Sequence, residues 1–387
     1  MPNQRTYLDY AATTPVDPRV LQAMLPFFTD NFGNPSSVHR LGQQADSAVE
    51  KSRRRIAEIL GCSPSEIIFT SCGSESDNLA LRGTAFHARE SRSANHILTT
   101  PVEHHAILRT AQELHTHHGF ELELLPVDGD GRVDPDELAK RIRKDTAIVS
   151  IMYANNEIGS INPLEKLGEI CRSMNVPFHT DAVQAASQLE TDVNPLNVDM
   201  MSLGAHKFYG PKGVGLLYIR DGHTVYPVQT GGSQEFGLRA GTHNVPLIVG
   251  MSEALAITHA EREVHNSHFR GLRDRLLKVI PERVPAARIT GHTENRLPNH
   301  ASFIFHKIDG NQLLAALDIA GFACSSGSAC KTGDPEPSNV LKAIGVPREW
   351  SLGSLRLSVG RSTSSEGIEA FLATLPVLIE KLRAVKA

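Results

Sequence analysis

Residues 198–213 read "VDMMSLGAHKFYGPKG". A run of β-forming side chains leads into a loop that carries His206 and Lys207. Four earlier runs have the same character: "EIIFTS" (66–71), "HILTT" (96–100), "AIVSIM" (147–152) and "VPFHTD" (176–181). The stretches between them have the pattern of amphipathic helices, at 74–88, 104–118, 134–143 and 163–174. Strands that alternate with helices predict an α/β fold with a mainly parallel sheet sandwiched by helices.

The chain after about residue 250 has a different pattern. A long helical stretch (246–280) is followed by "HASFIF" (300–305), a helix at 310–320, "LRLSV" (355–359) and a terminal helix at 365–385. This order is typical of a smaller α+β domain. We therefore expect a large α/β domain at 16–255 and a small domain made of residues 1–15 and 256–387.

The composition argues against several classes of protein. The 39 Lys and Arg residues against 43 Asp and Glu give a net charge of −4, which does not indicate a nucleic-acid or anionic membrane partner. No apolar run approaches the ~18 residues of a membrane helix, and the amino terminus lacks the pattern of a secretory signal. The five cysteines form no CxxC pair, so neither disulfides nor a zinc ribbon is expected. We expect a cytoplasmic protein that acts on a small molecule.

Polar side chains follow four of the predicted strands. In a parallel sheet the carboxyl ends of the strands meet at one edge, where ligands bind. One such residue alone is usually a cap or an ordinary loop residue, but four loops that deliver them to one edge indicate a site. The residues in question are Glu103, His104, Asn155, Asn156, Asp181, Gln184, His206 and Lys207.

Lys207 and Asp181 are the pair of side chains that pyridoxal phosphate requires. The amine of a lysine forms a Schiff base with this cofactor, and a carboxylate keeps its pyridine nitrogen protonated. The phosphate needs backbone N–H groups at the start of a helix, and Gly73 and Ser74 open the helix after strand 66–71. Ser74 with Asp77 is also a helix-capping pattern, and the two roles are compatible.

Two other patterns compete with this interpretation and are weaker. Lys212 is the rival lysine, but "GPKG" around it is typical of a tight turn with an exposed amine. The segments "HTHHG" (115–119) and "DGDGRVD" (128–134) resemble metal motifs without their full ligand sets. We predict no metal site.

Ten motifs together resemble one enzyme family. They are "YLDYAATTP", "GNPSSVHRLG", "FTSCGSESDN", "VEHHA", "NNEIG", "HTDAVQ", "AHKFYGPKGVG", "RAGT", "SSGSAC" and "LRLSVGR". In this order, from about residue 6 to 385, they are similar to those of the pyridoxal-phosphate-dependent cysteine desulfurases, in the iron–sulfur-assembly branch of the class V aminotransferases.

The resemblance implies roles for individual residues. Lys207 would carry the cofactor, His104 would stack on its ring, and Asp181 would pair with the ring nitrogen. Gln184 and Asn156 would contact the phenolic oxygen and the substrate. Three residues would hold the phosphate, namely Gly73, Ser74 and His206.

The resemblance also implies a substrate clamp and a dimer. Arg356 would bind the carboxylate of the substrate, a bidentate contact that suits a guanidinium group. Thr242 would reach the phosphate in the other subunit of a homodimer.

Cys330 is the expected nucleophile. It lies in the family motif "SSGSAC", within a Ser-, Gly- and Ala-rich loop at about 324–337 that we expect to be mobile. Lys331 follows it, and a neighbouring cation lowers the pKa of a thiol toward the thiolate. Cys324 is interpreted as a packed small residue, with a relay role as the alternative. The remaining cysteines are interpreted as structural, namely Cys62, Cys72 and Cys171.

The reaction that follows is the conversion of L-cysteine to L-alanine, with the sulfur held on Cys330 as a persulfide for an iron–sulfur scaffold or a thiolation pathway. Either Lys207 or His104 would remove the Cα proton. The alternative is a selenocysteine lyase or another pyridoxal-phosphate-dependent lyase or aminotransferase on the same fold. A scaffold without turnover is the third hypothesis, which the intact set of residues disfavours.

Two cofactor-site positions depart from the family pattern. Gly204 stands where a phosphate-binding Ser is common, and Ser74 stands for the commoner Thr. Ser202 lies two residues before Gly204 on the same face of the strand, so we expect it to compensate in part.

Overall fold

The computed structural model describes residues 5–326 and 336–384. In these ranges the strands are β1 (Thr6–Tyr7), β2 (Ile67–Thr70), β3 (His96–Thr99), β4 (Glu121–Leu124), β5 (Thr146–Ser150), β6 (Phe178–Asp181), β7 (Met200–Gly204), β8 (Gly215–Ile219), β9 (Ala287–Ile289), β10 (His300–Phe305), β11 (Phe322–Ala323) and β12 (Ser354–Ser358).

The helices in the same ranges are α1 (Pro18–Met24), α2 (Pro26–Thr29), α3 (Arg40–Leu60), α4 (Gly73–Arg92), α5 (His105–His118), α6 (Pro135–Arg141), α7 (Leu164–Ser173), α8 (Val245–Ala260), α9 (Arg262–Arg283), α10 (Gly310–Ile319), α11 (Asn339–Ala343), α12 (Arg348–Ser351) and α13 (Ser365–Ala384). Within this described part of the chain, no helix combines the length and the apolar character needed to cross a lipid bilayer.

The apolar runs of the sequence form the centre of a seven-stranded sheet. Its order is β2-β8-β7-β6-β5-β3-β4. The neighbours from β7 to β4 are all parallel, whereas β8 is antiparallel to both β2 and β7. Every residue of β5, β6 and β7 is buried, as expected for strands covered by helices on both faces. The predicted mainly parallel α/β sheet is confirmed.

Strands β4 and β8 were not among the predicted strands. β4 has the sequence "ELEL" at the edge of the sheet, where its partly exposed glutamates hide the strand pattern. β8 has the sequence "GLLYI" and is fully buried, but it pairs antiparallel beside β7 and so breaks the strand–helix alternation.

The helical stretch predicted at 246–280 is present and consists of two helices, α8 and α9. Glu261 leaves helical geometry, with φ −100° and ψ 6°, and separates α8 from α9. Ile248 and Met251 of α8 pack in the core under the seven-stranded sheet, whereas Phe269 and Leu276 of α9 pack in a second core. The break lets each helix face its own core.

The second core lies under the antiparallel sheet β12-β10-β9, with α10 and α13 around it. Leu8 joins this core, and β1 pairs with β11 in a separate two-stranded sheet. The amino-terminal segment therefore packs with the carboxyl-terminal elements. The domain limits at residues 15 and 255 stay a prediction.

Candidate active site

One cleft of about 260 Å³ opens at the carboxyl ends of β3, β5, β6 and β7. Its wall is completed by the amino-terminal segment and by β12. The predicted residues that line it are Gly73, Ser74, His104, Asn156, Asp181, Gln184, His206, Lys207 and Arg356. The structure therefore brings together nine of the side chains that the sequence pointed to, as the rule for parallel sheets requires.

Lys207 lies in a short 3₁₀ turn directly after β7. Its Nζ donates to the carbonyl oxygens of Ala11 (2.7 Å) and Ala12 (2.8 Å). Burial, together with the charge of Arg356, lowers the pKa of Lys207 to about 8. The amine is thus held at the cleft and loses its proton at a lower pH than an ordinary lysine does, near pH 8. The rival Lys212 is exposed, as expected.

Asp181 ends β6, and His104 is the N-cap residue of α5. Asp181 is buried, and its Oδ1 accepts a hydrogen bond from the backbone of Val183 (2.9 Å). Burial raises the pKa of Asp181 against the opposing charges of His104 and Lys207. The Nδ1 of His104 accepts from the backbone of Ala106 at 3.2 Å, which caps α5 and leaves Nε2 to carry the proton of the neutral ring.

The start of α4 has the features of an anion site. Its N-cap is Cys72, whose side chain makes no capping hydrogen bond, so the first N–H groups of this 20-residue helix have no side-chain cap. A Cβ atom on Gly73 would lie 2.6 Å from Val183, so this position needs glycine. Gly204 faces the same turn, because a Cβ atom there would lie 3.5 Å from the nitrogen of Gly73.

His206 lies beside this turn with a neutral ring. Its Nδ1 is 3.2 Å from the Oγ1 of Thr13. Burial, with the charges of Lys207 and Lys212, lowers the pKa of His206 to about 4. A neutral ring can donate one hydrogen bond to an anion without contributing charge.

The expected compensation for Gly204 by Ser202 is wrong. Ser202 is fully buried, and its Oγ lies 2.9 Å from the Nε2 of His179. It also hydrogen-bonds Asp77, on α4. The hydroxyl of Ser202 is therefore engaged in hydrogen bonds with His179 and Asp77 and is not available to a phosphate.

Arg356 enters the cleft from β12. It donates to Asp9 Oδ1 (2.7 Å) and to the carbonyl oxygen of Asn156 (3.0 Å). Its Nε is buried and has no partner among the described residues. Asp9 also accepts from the hydroxyl of Ser325 (2.7 Å). Asp9 thus fixes the guanidinium group, and Nε is left for a ligand.

Three of the predicted residues in the described ranges do not line this cleft. Glu103 and Asn155 are buried beside it, where Glu103 accepts a hydrogen bond from the backbone of Met152 (2.8 Å) and Asn155 donates to the carbonyl oxygen of Val102 (2.9 Å). Thr242 lines a separate depression with Phe32, Gly33 and other neighbours. Cys330, with most of the segment 324–337, lies outside the residues that the structure describes. The expected mobility of that loop stays a prediction.

The cysteines that the structure describes differ in their surroundings. Cys171 is buried in the first core, and Cys62 packs against it. Cys324 packs against the second core, and burial raises its pKa to about 12. Cys72 lines the cleft, so its interpretation as a purely structural residue needs correction: it begins α4 at the anion site.

Sequence reasoning missed the position of Asp77. The sequence pattern makes it a partner of Ser74 in capping α4, but the N-cap position is Cys72, no side chain caps the helix, and Asp77 is buried, 1% exposed, at the floor of the cleft. Asp9 was missed as well. The sequence contains a signal for each of the two positions. Asp77 lies one turn into the helix that follows the Gly-Ser turn, and Asp9 lies in a motif that carries the family resemblance.

The residues of the cleft fit pyridoxal phosphate. A deprotonatable amine, a buried carboxylate and an uncapped helix start with a required glycine are the three groups that its aldehyde, ring nitrogen and phosphate need. With the mainly parallel sheet, they define the class of pyridoxal-phosphate-dependent enzymes with an aminotransferase-type fold.

Comparison with known proteins agrees with this assignment of the class. The sequence profile described as "Aminotransferase class-V" matches residues 6–371, and the chain belongs to this family. It is 46% identical over 382 residues to "Cysteine desulfurase IscS" of Dictyoglomus turgidum, covering 99% of this chain and 96% of that protein. Within the family, the chain is a member of the cysteine desulfurases.

Two solved structures are similar to it over most of their length. The structure titled "NIFS-LIKE PROTEIN" has a TM-score of 0.91 and 40% identity, and it covers 98% of this chain and 100% of its own. The structure titled "SspA in complex with cysteine" has a TM-score of 0.80 and 35% identity, and it covers 92% and 99%.

Proposed function

We propose that this cysteine desulfurase converts free L-cysteine to L-alanine and holds the sulfur on Cys330 as a persulfide before delivery to an acceptor. The observation that supports this most directly is the meeting of Lys207, Asp181 and Arg356 in one cleft. A cofactor anchor, a partner for its ring nitrogen and a clamp for an amino-acid carboxylate lie together there. A relative of this chain is described with cysteine bound.

Pyridoxal phosphate is the cofactor in this proposal. Asp181, His104 and Gln184 would hold its ring, and Gly73, Ser74 and His206 its phosphate. When bound at Lys207, it supplies an electron sink that makes the Cα proton of an amino acid acidic. Gly204 offers the phosphate no side chain, so the backbone of α4 carries more of this contact here than in relatives with serine at that position.

Lys207 is the better candidate for the base. His104 uses the lone pair of Nδ1 for the backbone of Ala106, and its Nε2 then carries a proton, so the neutral ring has no free lone pair. Lys207 has a pKa of about 8, and two carbonyl oxygens accept from its amine. These carbonyls would stabilise the ammonium group that forms when Lys207 takes the Cα proton.

Arg356 would orient the substrate. Its contacts with Asp9 and Asn156 hold the guanidinium plane, and the unpartnered Nε is the donor left for a carboxylate. Asn156 would keep its proposed contact with the substrate from the same loop. A substrate held by its carboxylate keeps Cα and Sγ at fixed positions over the cleft.

Cys330 would take the sulfur. Its thiolate attacks the Sγ of the substrate, an S–S bond forms, and the bond between Cβ and Sγ breaks. The electron pair of the broken bond stays on the carbon skeleton, which takes up protons and leaves as alanine. The sulfur on Cys330 then passes to an iron–sulfur cluster scaffold or to a thiolation pathway, as the family resemblance implies.

A homodimer completes this proposal. Large apolar side chains near Thr242 and the adjacent His243 are exposed on the single chain, namely Phe32 (65%) and Phe236 (62%). Phe32 lines the same depression as Thr242. A second copy of the chain would cover these side chains and bring Thr242 to its phosphate site. Sedimentation should give twice the mass of one chain, and a monomer at micromolar concentration would contradict the dimer.

We also propose that the enzyme works in a reducing compartment, the cytoplasm. Cys62, Cys72, Cys171 and Cys324 are all free thiols, as expected where disulfides do not persist.

The test of the function is Cys330→Ser, with Cys324→Ser as the matched control. The first variant should bind the cofactor but release no alanine from cysteine, because the acceptor thiol is missing. The control should keep its turnover. Mass spectrometry of the wild-type enzyme after exposure to cysteine should find one added sulfur atom on Cys330. Turnover by Cys330→Ser, or the adduct on another cysteine, would contradict the assignment.

A further inference from the structure

A second acid lies beside Asp181 at the floor of the cleft. Asp77 projects from α4 and is 1% exposed. Side-chain ligand atoms of Asp77, His104 and Asp181 all lie within 4.8 Å of one another. Two carboxylates so close together in a buried site strongly disfavour a second negative charge.

Asp77 has too few donors to be an anion. Ser202 supplies one hydrogen bond, and Oδ1 has no partner among the described residues although it is fully buried. A buried carboxylate is stable as an anion only with a cation or with several hydrogen-bond donors.

The nearest base does not supply a charge. The Nε2 of His179 is 3.8 Å from the Oδ1 of Asp77. Its two ring nitrogens contact hydroxyl groups, Nδ1 that of Ser150 and Nε2 that of Ser202, each at 2.9 Å. Burial lowers the pKa of His179 to about 3, so the ring is neutral.

The ionisable groups around the pair act differently on the pKa values of the two acids. The groups that act on the pKa of Asp77 are acidic, namely Asp181, Glu103 and the thiol of Cys72. His104 lies within 4.8 Å of both acids, and its charge and that of Lys207 oppose the rise in the pKa of Asp181. Burial raises the pKa of Asp77 well above its usual range, and the charge of Asp181 adds to this. The negative charge of the pair therefore belongs on Asp181 and the proton on Asp77.

We infer that Asp77 is a positioning residue, a neutral carboxylic acid behind Asp181 that keeps the pair at a single negative charge. The inference rests on the proposed function, because Asp181 is taken as the partner of the ring nitrogen. Ligand atoms of the two acids lie within 4.8 Å of each other, so the charge state of Asp77 acts directly on Asp181. A neutral Asp77 would then set the basicity of the carboxylate that faces the cofactor.

The first test is independent of catalysis. Unfolding of wild type and Asp77→Asn is measured between about pH 5 and 7 at a fixed excess of pyridoxal phosphate. An unfolded Asp is ionised in this range, so the wild type releases one more proton on unfolding than the variant. The ratio of their unfolding constants, wild type over variant, should rise about tenfold per pH unit. A constant ratio would overturn the inference.

Asp136→Asn, at an exposed acid of α6, is the matched control, and its ratio to wild type should stay constant with pH. An equal slope in both variants would show that the pH dependence is not specific to Asp77 and would overturn the inference. Because only unfolding is measured, the result stands even if the enzyme releases no alanine from cysteine, so the failure of one proposal is distinguishable from the failure of the other.

The second test asks whether Asp77 acts through Asp181. The pH midpoint of the visible absorbance of the bound cofactor is compared in Asp77→Asn and Asp77→Ala. The amide is a neutral isostere of the protonated acid and should leave the midpoint and cofactor affinity unchanged, whereas alanine leaves a cavity beside Asp181 and should shift the midpoint and weaken cofactor binding about tenfold. An equal shift in both variants, or no shift in either, would overturn the positioning role.

Discussion

Two buried carboxylate sites of this chain have similar burial and opposite surroundings. Glu235 packs beside α3 and accepts four hydrogen bonds, two from Arg53 and one each from His243 and the backbone of Phe69. Burial alone would raise the pKa of Glu235, but Arg53 and His243 lower it to about 2. Asp77 at the cleft has one donor and a bare oxygen.

The difference teaches how burial relates to role. A buried acid whose oxygens all accept hydrogen bonds from cations and N–H groups has a structural role. It has no free acceptor for a ligand. A buried acid with unpartnered atoms is kept in the fold for another reason, and here those atoms lie under a cleft. We expect changes at Glu235 to affect stability and changes in the cleft to affect chemistry.

Among changes in the cleft, we expect the largest effect on turnover from the replacement of Lys207. Lys207→Ala should reduce turnover of cysteine by at least about 10³-fold, because both the anchor and the base are removed. The protein should stay folded and lose the linkage to the cofactor that borohydride reduces. Lys212→Ala is the matched control and should behave like wild type. A reducible linkage that survives in Lys207→Ala would assign the anchor to another lysine.

The next effect belongs to the structural site. Glu235→Gln should lower the free energy of unfolding by about 3–5 kcal/mol, because the buried charge of Arg53 loses its partner. Its turnover per folded molecule should match wild type. Glu50→Gln removes the partly exposed partner of Arg53 and should cost at most about 1 kcal/mol. Urea denaturation measures both, and equal losses in the two variants would break the comparison.

A smaller effect depends on pH. Burial raises the pKa of Glu103, beside the cleft, from 4.5 to about 8. The folded chain then holds a proton that the unfolded chain releases, so stability from this group is full below pH 4.5 and is lost as the pH rises to 8. Glu103→Gln should gain stability over wild type by up to about 1.4 kcal/mol per pH unit in that window. Denaturation at several pH values measures it, and a gain on the acid side would contradict the sign.

The smallest effect concerns the phosphate. Gly204→Ser should tighten cofactor binding about three- to tenfold, since one hydrogen bond contributes about 1 kcal/mol. Residue 204 has φ −135° and ψ 118°, which serine adopts freely, and a Cβ atom there meets only ordinary contacts. Gly73→Ser is the control and should weaken binding, since its Cβ atom would clash with Val183. Titration of the cofactor-free enzyme measures both, and weaker binding by Gly204→Ser would contradict the phosphate assignment.

The sequence was enough to predict five of the seven strands of the large sheet, including its parallel centre, and the edge at which ligands bind. Parallel strands must end at one edge, so each polar residue after a strand has a known destination, and Lys207, Asp181 and His104 meet there as expected. Helix breaks such as that at Glu261 were not predictable, because they depend on which of two cores each apolar face contacts.

Contacts between segments that are distant in the sequence could not be predicted from local sequence patterns either. The spacing of Asp77 from Ser74 predicts a helix-capping pair. Only the packing of α4 on β6 shows that Asp77 is buried beside Asp181. Ser202 has the spacing to reach a phosphate, but the ring of His179 takes its hydroxyl. Such competition for a hydrogen bond is decided by three-dimensional neighbours.

The amino-terminal segment has a consequence for biosynthesis. Ala11 and Ala12 are translated well before Lys207, whose amine they hold, and Asp9 is translated long before Arg356, which it binds. Since folding during synthesis proceeds from the amino-terminal side, this segment stays undocked until these partners emerge from the ribosome. The cleft can be completed only after Arg356 has been translated, so a chain that ends before this residue would lack part of the cleft wall.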